Sequence, residues 1–250
     1  MEIKLDKIDS YEFSAFIKKL LSIDKFIFMK VGQEYTQSSV YLPQRDAVKL
    51  VNVKTEELFG QKIDTPLKIS FYNGSKVNDA LSHFSDEVQG RIIYNESDNE
   101  NMASDFIIEG QDLTINLACA DPSLSFMEMT KDEIQRAFNT DNKMFEFDLL
   151  TTHVDRIKSL FNLEKEEEVF DIYISDKGVS VRGKSFDTLI SSAYEGNVDV
   201  GTKVSVYKKF INLLDKENYK LIVCDNKLVF KSLDTQTMLI IAVAMIDEDE

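Results

Sequence analysis

The sequence predicts an α+β protein of two domains, each made from two copies of a βαβββ module, and three observations carry that expectation. The first is a repeat. From Met144 a strand to Asp148 leads into an amphipathic helix (Thr151 to Asn162) and three strands (Val169 to Ser175, Val179 to Lys184, Thr188 to Glu195). From Thr202 the same order returns as a strand (Lys203 to Val206), a helix (Tyr207 to Asp215) and three strands (Tyr219 to Cys224, Lys227 to Ser232, Thr237 to Ile246). The second is turn chemistry: Asp176-Lys177-Gly178 and Asp225-Asn226 separate alternating strands, and residues of these types reach the positive φ of tight hairpins, which predicts antiparallel sheet. The third is size, because 250 residues are enough for two cores at roughly 100 to 200 residues per domain.

The amino-terminal half follows the same template less regularly. Ile3 to Leu5 reads as a strand, Asp9 or Ser10 as the cap of a helix through Tyr11 to Ser22, and Phe26 to Val31, Tyr35 to Leu42 and Ala47 to Val53 as strands. A second copy opens with Leu67 to Tyr72, turns at Asn73-Gly74 into a helix through Phe84, and continues with Gln89 to Tyr94, Phe106 to Glu109 and Leu113 to Ala118. The polar stretch Asn95 to Ser104 reads as a mobile hairpin tip. The segment Asp121 to Asn142 breaks the pattern with Asp-Pro, an apolar patch and a short helix at Lys131 to Phe138. It is too apolar for a free linker and is expected to lie against a domain surface. The domains expected are therefore 1–120 and 143–250, joined by a connector at 121–142.

Composition narrows the function. With 43% hydrophobic and 29% charged residues the chain reads as a globular protein. No apolar run approaches the ~18 residues of a membrane span, and MEIKLDKIDS carries charge where a signal peptide needs apolar residues. A cytoplasmic protein with no membrane partner is expected. Cys119 and Cys224 lie in apolar strand-like runs, where a thiol behaves as a small hydrophobe, and neither has metal-ligand spacing; no metal or cofactor is expected.

A net charge of −15 argues against nucleic acid unless the cations are segregated. At 100° per residue, Phe13, Phe16, Ile17 and Leu20 share one helix face opposite Lys18 and Lys19. Val77, Ala80, Leu81 and Phe84 leave Lys76 outside, and Leu150, Val154, Ile157 and Phe161 leave Arg156 and Lys158 on the flanks. Tyr207, Phe210, Leu213 and Leu214 lie opposite Lys208, Lys209 and Asn212. Across these four helices seven basic residues meet five acidic ones, a sum of +2 against −17 for the remainder. Lysines on a helix face commonly do no more than keep it solvated. Their recurrence at one place in four modules favours a common surface.

In element order, and most closely over FDLLTTHVDRIKSLFNL, EEVFDIYISDKGVSVRGKS, DTLISSAYEG and KFINLLDKENYKLIVCDNKLVFKS, the chain resembles the DNA polymerase sliding clamps, in particular the two-domain subunits of tailed-phage clamps and of proliferating cell nuclear antigen. The resemblance implies a DNA-clamp fold, with helices lining the inner face of a homotrimeric ring and antiparallel sheets outside. It implies a viral processivity factor that encircles duplex DNA, tethers the replicative polymerase, is opened by a clamp loader, and does no chemistry. Lys18, Lys19, Lys76, Arg156, Lys158, Lys208 and Lys209 would then face phosphates without reading bases. It also implies a partner-peptide pocket near Leu124, Phe126, Met127, Met129, Ala244 and Ile246, residues that a bland reading makes core and packed loop.

The rival classes are an enzyme and a non-catalytic viral scaffold with a clamp-like α+β fold. His83 and His153 have no Ser, Cys or metal-ligand partner at motif spacing. Asn73-Gly74-Ser75-Lys76 lacks the spacing of a phosphate loop, and Glu164 to Glu168 reads as a solvated turn. Scaffold and clamp are separated by behaviour on DNA, since only a clamp has reason to fall off the ends of a linear duplex.

Overall fold

The computed structural model describes residues 1–84, 87–96, 100–121, 129–164 and 168–244. The chain divides into two compact units, Met1–Leu42 with Lys49–Met129, and Pro43–Val48 with Thr130–Glu250.

Apart from residues 43–48, which include the start of its fourth strand, the first unit holds two modules in sequence. The first module is β1 (Glu2–Asp9), α1 (Ser10–Leu21), β2 (Ile27–Val31), β3 (Tyr35–Tyr41) and β4 (Ala47–Lys54), followed by a short helix, α2 (Thr55–Phe59), that periodicity does not predict. The second is β5 (Leu67–Phe71), α3 (Gly74–Ser82), β6 (Glu87–Asn95), β7 (Asn101–Glu109) and β8 (Thr114–Ala118). Helix α1 starts where Asp9 Oδ1 accepts from the Tyr11 and Glu12 amides at 3.1 and 3.0 Å, satisfying two of the orphan donors of a helix start. It buries Phe13, Phe16, Ile17 and Leu20. Asn73 caps α3 in the same way, accepting from the Ser75 amide at 3.0 Å.

The strands do not stay within their modules. In each module the last three strands form a meander, and the first strand pairs with the other module: β1 lies beside β6, with Ile3 opposite Ile92, and β5 beside β2, with Met29 opposite Ile69. Two sheets result, β1-β6-β7-β8 and β5-β2-β3-β4. They join where Leu67 and Lys68 of β5 run parallel to Asn101 and Met102 of β7, a parallel pairing in a sheet expected to be wholly antiparallel. Beneath the helices Phe106 is fully buried, its ring 5.4 Å from Phe13 and 6.0 Å from Phe71. Phe59, from the unpredicted α2, stands 5.7 Å from Phe13, so α2 exists because its apolar end completes this aromatic cluster.

The second unit repeats the arrangement. After α4 (Lys131–Phe138) comes a module of β9 (Lys143–Leu149), α5 (Thr151–Leu163), β10 (Val169–Ser175), β11 (Gly178–Arg182) and β12 (Asp187–Ser191). The chain then passes through a two-residue strand, β13 (Glu195–Gly196), which covers the free side of β9. The last module is β14 (Lys203–Tyr207), a 3-10 helix (Lys208–Leu213), β15 (Tyr219–Cys224), β16 (Lys227–Ser232) and β17 (Gln236–Ala242). Again first strands are exchanged: β9 pairs with β15, Phe147 opposite Leu221, and β14 with β10, Val204 opposite Ile172. The expected strand from Thr188 to Glu195 is interrupted after Ser191.

Several expectations need correction here. Tyr207–Asp215 is not an α-helix: Tyr207 ends β14, and the six residues that follow take a tighter 3-10 path, a long run for that geometry. Leu150 does not face inward; it is the N-cap of α5 and is 45% exposed. The Asp176-Lys177-Gly178 turn does use positive φ, at Gly178 (127°), where the Ser191 carbonyl leaves no room for a Cβ. The Asp225-Asn226 turn closes without it, since Arg45 is the single non-glycine residue with positive φ among the described residues. Glu164 is not part of a solvated turn. It is 7% exposed, and its carboxylate accepts from the Ser185 amide and hydroxyl, tying the end of α5 to the turn before β12. Burial opposes ionisation there, but these bonds and one from the Lys184 backbone hold its carboxyl below the usual range.

Cys224 is buried and Cys119 half-buried just beyond β8. Burial pushes the Cys119 thiol up to about 12, with the Asp105 charge adding to it, so it carries no thiolate near neutrality.

Candidate nucleic-acid interface

The predicted cations sit on or beside the helices, and packing decides what each one faces. In the first unit α1 and α3 lie against each other, joined by a 2.5 Å hydrogen bond between Ser14 Oγ and Asn78 Oδ1. In the second unit α5 packs against the 3-10 helix. The buried residues of each helix fix its inner side, and 100° steps then locate the side opposite.

For α1 the outward stripe is Tyr11, Ala15, Lys18 and Ser22; Tyr11 is 79% exposed and Lys18 is exposed. Lys19, half-buried, lies on the flank away from Ser14. For α3 the outward stripe is Ser75, Asp79 and Ser82, all exposed, while Lys76 is exposed on the flank. For α5 it is Thr152, Arg156, Ser159 and Leu163, all exposed. Two of the seven cations, Lys18 and Arg156, therefore stand at the centre of an outward face.

Three others are engaged inside their own unit. Lys158 projects from the edge of the buried side of α5, where its ammonium donates to the Leu214 carbonyl at 2.8 Å. Burial holds its pKa below the ordinary lysine value, against the pull of Asp215 and Asp155. The Lys208 ammonium donates to the Glu164 carbonyl. Lys209 pairs with Asp46 at 2.8 Å and lies over the Phe210 and Tyr207 rings at 4.8 and 5.4 Å. The repeat predicts cations at these positions but has no signal for the packing of α5 against the 3-10 helix, which brings Lys158 and Lys208 to carbonyls of other elements, or for the pairing of Lys209 with Asp46.

The start of α5 is built from outside its own sequence. Its first amide, Thr151 N–H, donates to Asn218 Oδ1 at 3.0 Å, and the Thr151 hydroxyl to the same oxygen at 3.2 Å. His153 Nδ1 accepts from the Leu150 amide at 3.3 Å. Burial and the nearby Arg156 charge hold the imidazole below its ordinary pKa. A depressed folded value means the neutral ring contributes stability above the unfolded value near ~6.5, and that contribution is lost as the pH falls toward the folded value. On going from pH 7.5 to 5.5 the melting temperature of His153→Gln is expected to fall less than that of the native chain, since glutamine keeps an acceptor but does not titrate. Equal falls in parallel thermal scans would remove His153 from this role.

Of the expected peptide-pocket residues, Leu124, Phe126, Met127 and Ile246 lie outside the described residues. Met129 is half-buried, and Ala244 is 6% exposed, its amide bonded to the Ser205 carbonyl at 2.8 Å. Ala244 follows β17 rather than lying within it. His83 is the exposed C-cap of α3. Among the described residues no three His, Cys, Asp or Glu side chains converge on a metal-sized site, and no helix is long and apolar enough to cross a membrane.

By sequence, no family model and no curated protein matches the chain. By structure it is similar to proliferating cellular nuclear antigen from Entamoeba histolytica, with 14% identity, a TM-score of 0.71 and 98% of each chain covered. It is also similar to the PCNA of A. fulgidus solved with the C-terminal region of FEN-1 bound, at 11% identity and a TM-score of 0.68, covering 100% of this chain and 99% of that one. A third similar structure is the Helicobacter pylori beta clamp bound to a DNA ligase peptide, at 13% identity and a TM-score of 0.63, where all of this chain covers 68% of the other. With the fourfold module order, the exchanged first strands and the paired helices, these likenesses establish that the chain has the sliding-clamp fold.

Proposed function

We propose that the chain is one subunit of a homotrimeric sliding clamp, a viral processivity factor of the host-cell cytoplasm that encircles duplex DNA and tethers a replicative polymerase. The observation that carries this reading is the recurrence of a helix at one place in all four modules, with Lys18 and Arg156 at the centre of outward faces in a chain of net charge −15. Cations in that position neutralise phosphates without reading bases. The acidic remainder keeps DNA from other surfaces. The protein does no chemistry: retention comes from topology, so weak interactions suffice and sliding is preserved. A clamp loader opens the ring. The domains are 1–120 and 143–250, with 121–142 between them.

Ring closure is supported by two open sheet edges. Among the described residues β8 pairs with β7 alone and β12 with β11 alone. They are the last strands of the second and third modules, hence corresponding strands of the repeat. Leu113, next to β8, and Leu189, within β12, are 41% and 40% exposed. Pairing β8 of one copy with β12 of the next would remove edges that otherwise invite aggregation. Client peptides would dock near Met129, Ala244 and the segment 122–128, as the bound peptides on the A. fulgidus and H. pylori proteins suggest by analogy.

Sedimentation is expected to give three times the mass of one chain, and loaded protein to persist on circular duplex while leaving linear duplex by its ends. A stable monomer at micromolar concentration, or equal loss from both DNAs, would overturn the ring.

A further inference from the structure

The outward side of α3 differs from its partners in a way that bears on how strongly a duplex is held. Its centre carries no cation: Asp79 stands there between Ser75 and Ser82, and all three are exposed. The Asp79 carboxylate makes no ion pair or hydrogen bond among the described residues; the side-chain bond at this residue runs from Ser82 Oγ to its backbone carbonyl, at 2.6 Å. The adjoining helix α1, joined to α3 through Ser14 and Asn78, presents Lys18 on its own outward stripe. Of the other acids on these helices, Glu12 falls on a flank by the 100° rule, and Asp155 adjoins Arg156 on α5 rather than standing alone on its outward side.

From this we infer that Asp79 is a repulsive element on the DNA-facing side, opposing Lys18 so that the duplex is held loosely enough to slide. The inference rests on the encircling reading proposed above. Its physics is simple: a carboxylate within about 8 Å of a phosphate is incompletely screened at physiological salt, so it raises the energy of each close approach and smooths the wells that the cations create. No bond inside the protein depends on it, which leaves its charge without a folding role. A trimer would carry three such groups around the duplex.

The test compares Asp79→Asn, Lys18→Glu and Asp6→Asn, the last an exposed carboxylate on β1. The readouts are equilibrium binding to a short duplex across a salt series and one-dimensional diffusion of loaded protein on end-blocked DNA. Asp79→Asn is expected to raise duplex affinity about threefold or more, steepen its salt dependence and slow diffusion, with Asp6→Asn unchanged. If Asp6→Asn raises affinity equally, bulk charge is responsible and the local inference fails. If Asp79→Asn changes nothing while Lys18→Glu weakens binding, the repulsive role fails and the encircling reading stands. If neither variant alters binding or diffusion, both fail.

Discussion

Reversing Lys18 and Arg156 together to glutamate is expected to weaken duplex binding at least roughly tenfold at moderate salt and to flatten its salt dependence, by about 0.9 in slope for each phosphate no longer neutralised. Loader-dependent processive synthesis should fall with it. These two cations are exposed at the centre of outward helix faces, and neither closes a bond that the fold needs, so trimer mass and melting temperature should change little. The comparison that gives this result meaning is reversal of Lys208. Its ammonium is bonded to the Glu164 carbonyl, so Lys208→Glu should first be seen as a lower melting temperature. Full processivity in the Lys18/Arg156 double variant would show that DNA does not pass these faces.

Truncating Phe106 to alanine is expected to be the most damaging single change to stability in the first unit. The side chain is 0% exposed and its ring meets Phe13, Phe59 and Phe71 at 5.4, 6.5 and 6.0 Å. Burial is so complete that the neighbours cannot close the space without moving α1, α2 and β5 together. Large-to-small changes of this kind cost about 3–5 kcal/mol, a large share of the ~5–15 kcal/mol by which domains are stable. A loss of about 6–20 °C in melting temperature follows at ~2–4 °C per kcal/mol. Phe106→Leu, which refills much of the volume, should recover most of it. Thermal scans of the two variants decide the matter: a change under a few degrees for alanine would mean that the cluster relaxes.

What is legible in the sequence is whatever periodicity and turn chemistry encode locally. The module order, the capping of α1 by Asp9 and the buried faces of α1, α3 and α5 can all be read from spacing. The exchange of first strands cannot, because Ile3 opposite Ile92 and Met29 opposite Ile69 are long-range pairings with no local signature. The 3-10 helix is hidden because Tyr207, Phe210 and Leu214 satisfy a helical period even though the chain takes a tighter path. Asn218 gives no sign of capping because the helix it serves begins at Thr151, far away in sequence. Among the interface candidates, residue type alone does not separate Lys18 and Arg156, which face outward, from Lys158, Lys208 and Lys209, whose partners come from other elements. Asp79 is readable as an outward residue by the same wheel that places Lys18. Attention to basic residues alone passes over it.

The swap of first strands imposes a parity on this architecture. A lone copy of the repeat would have a three-stranded meander lacking its outer neighbour and a leading strand with nothing to lie beside, and two copies cancel both deficits at once. Growth or shortening by one repeat therefore leaves an orphan, whereas change by two does not. Chains of this kind should come in even numbers of repeats, and fragments cut between the members of a pair should fail to hold a structure that fragments cut between pairs retain.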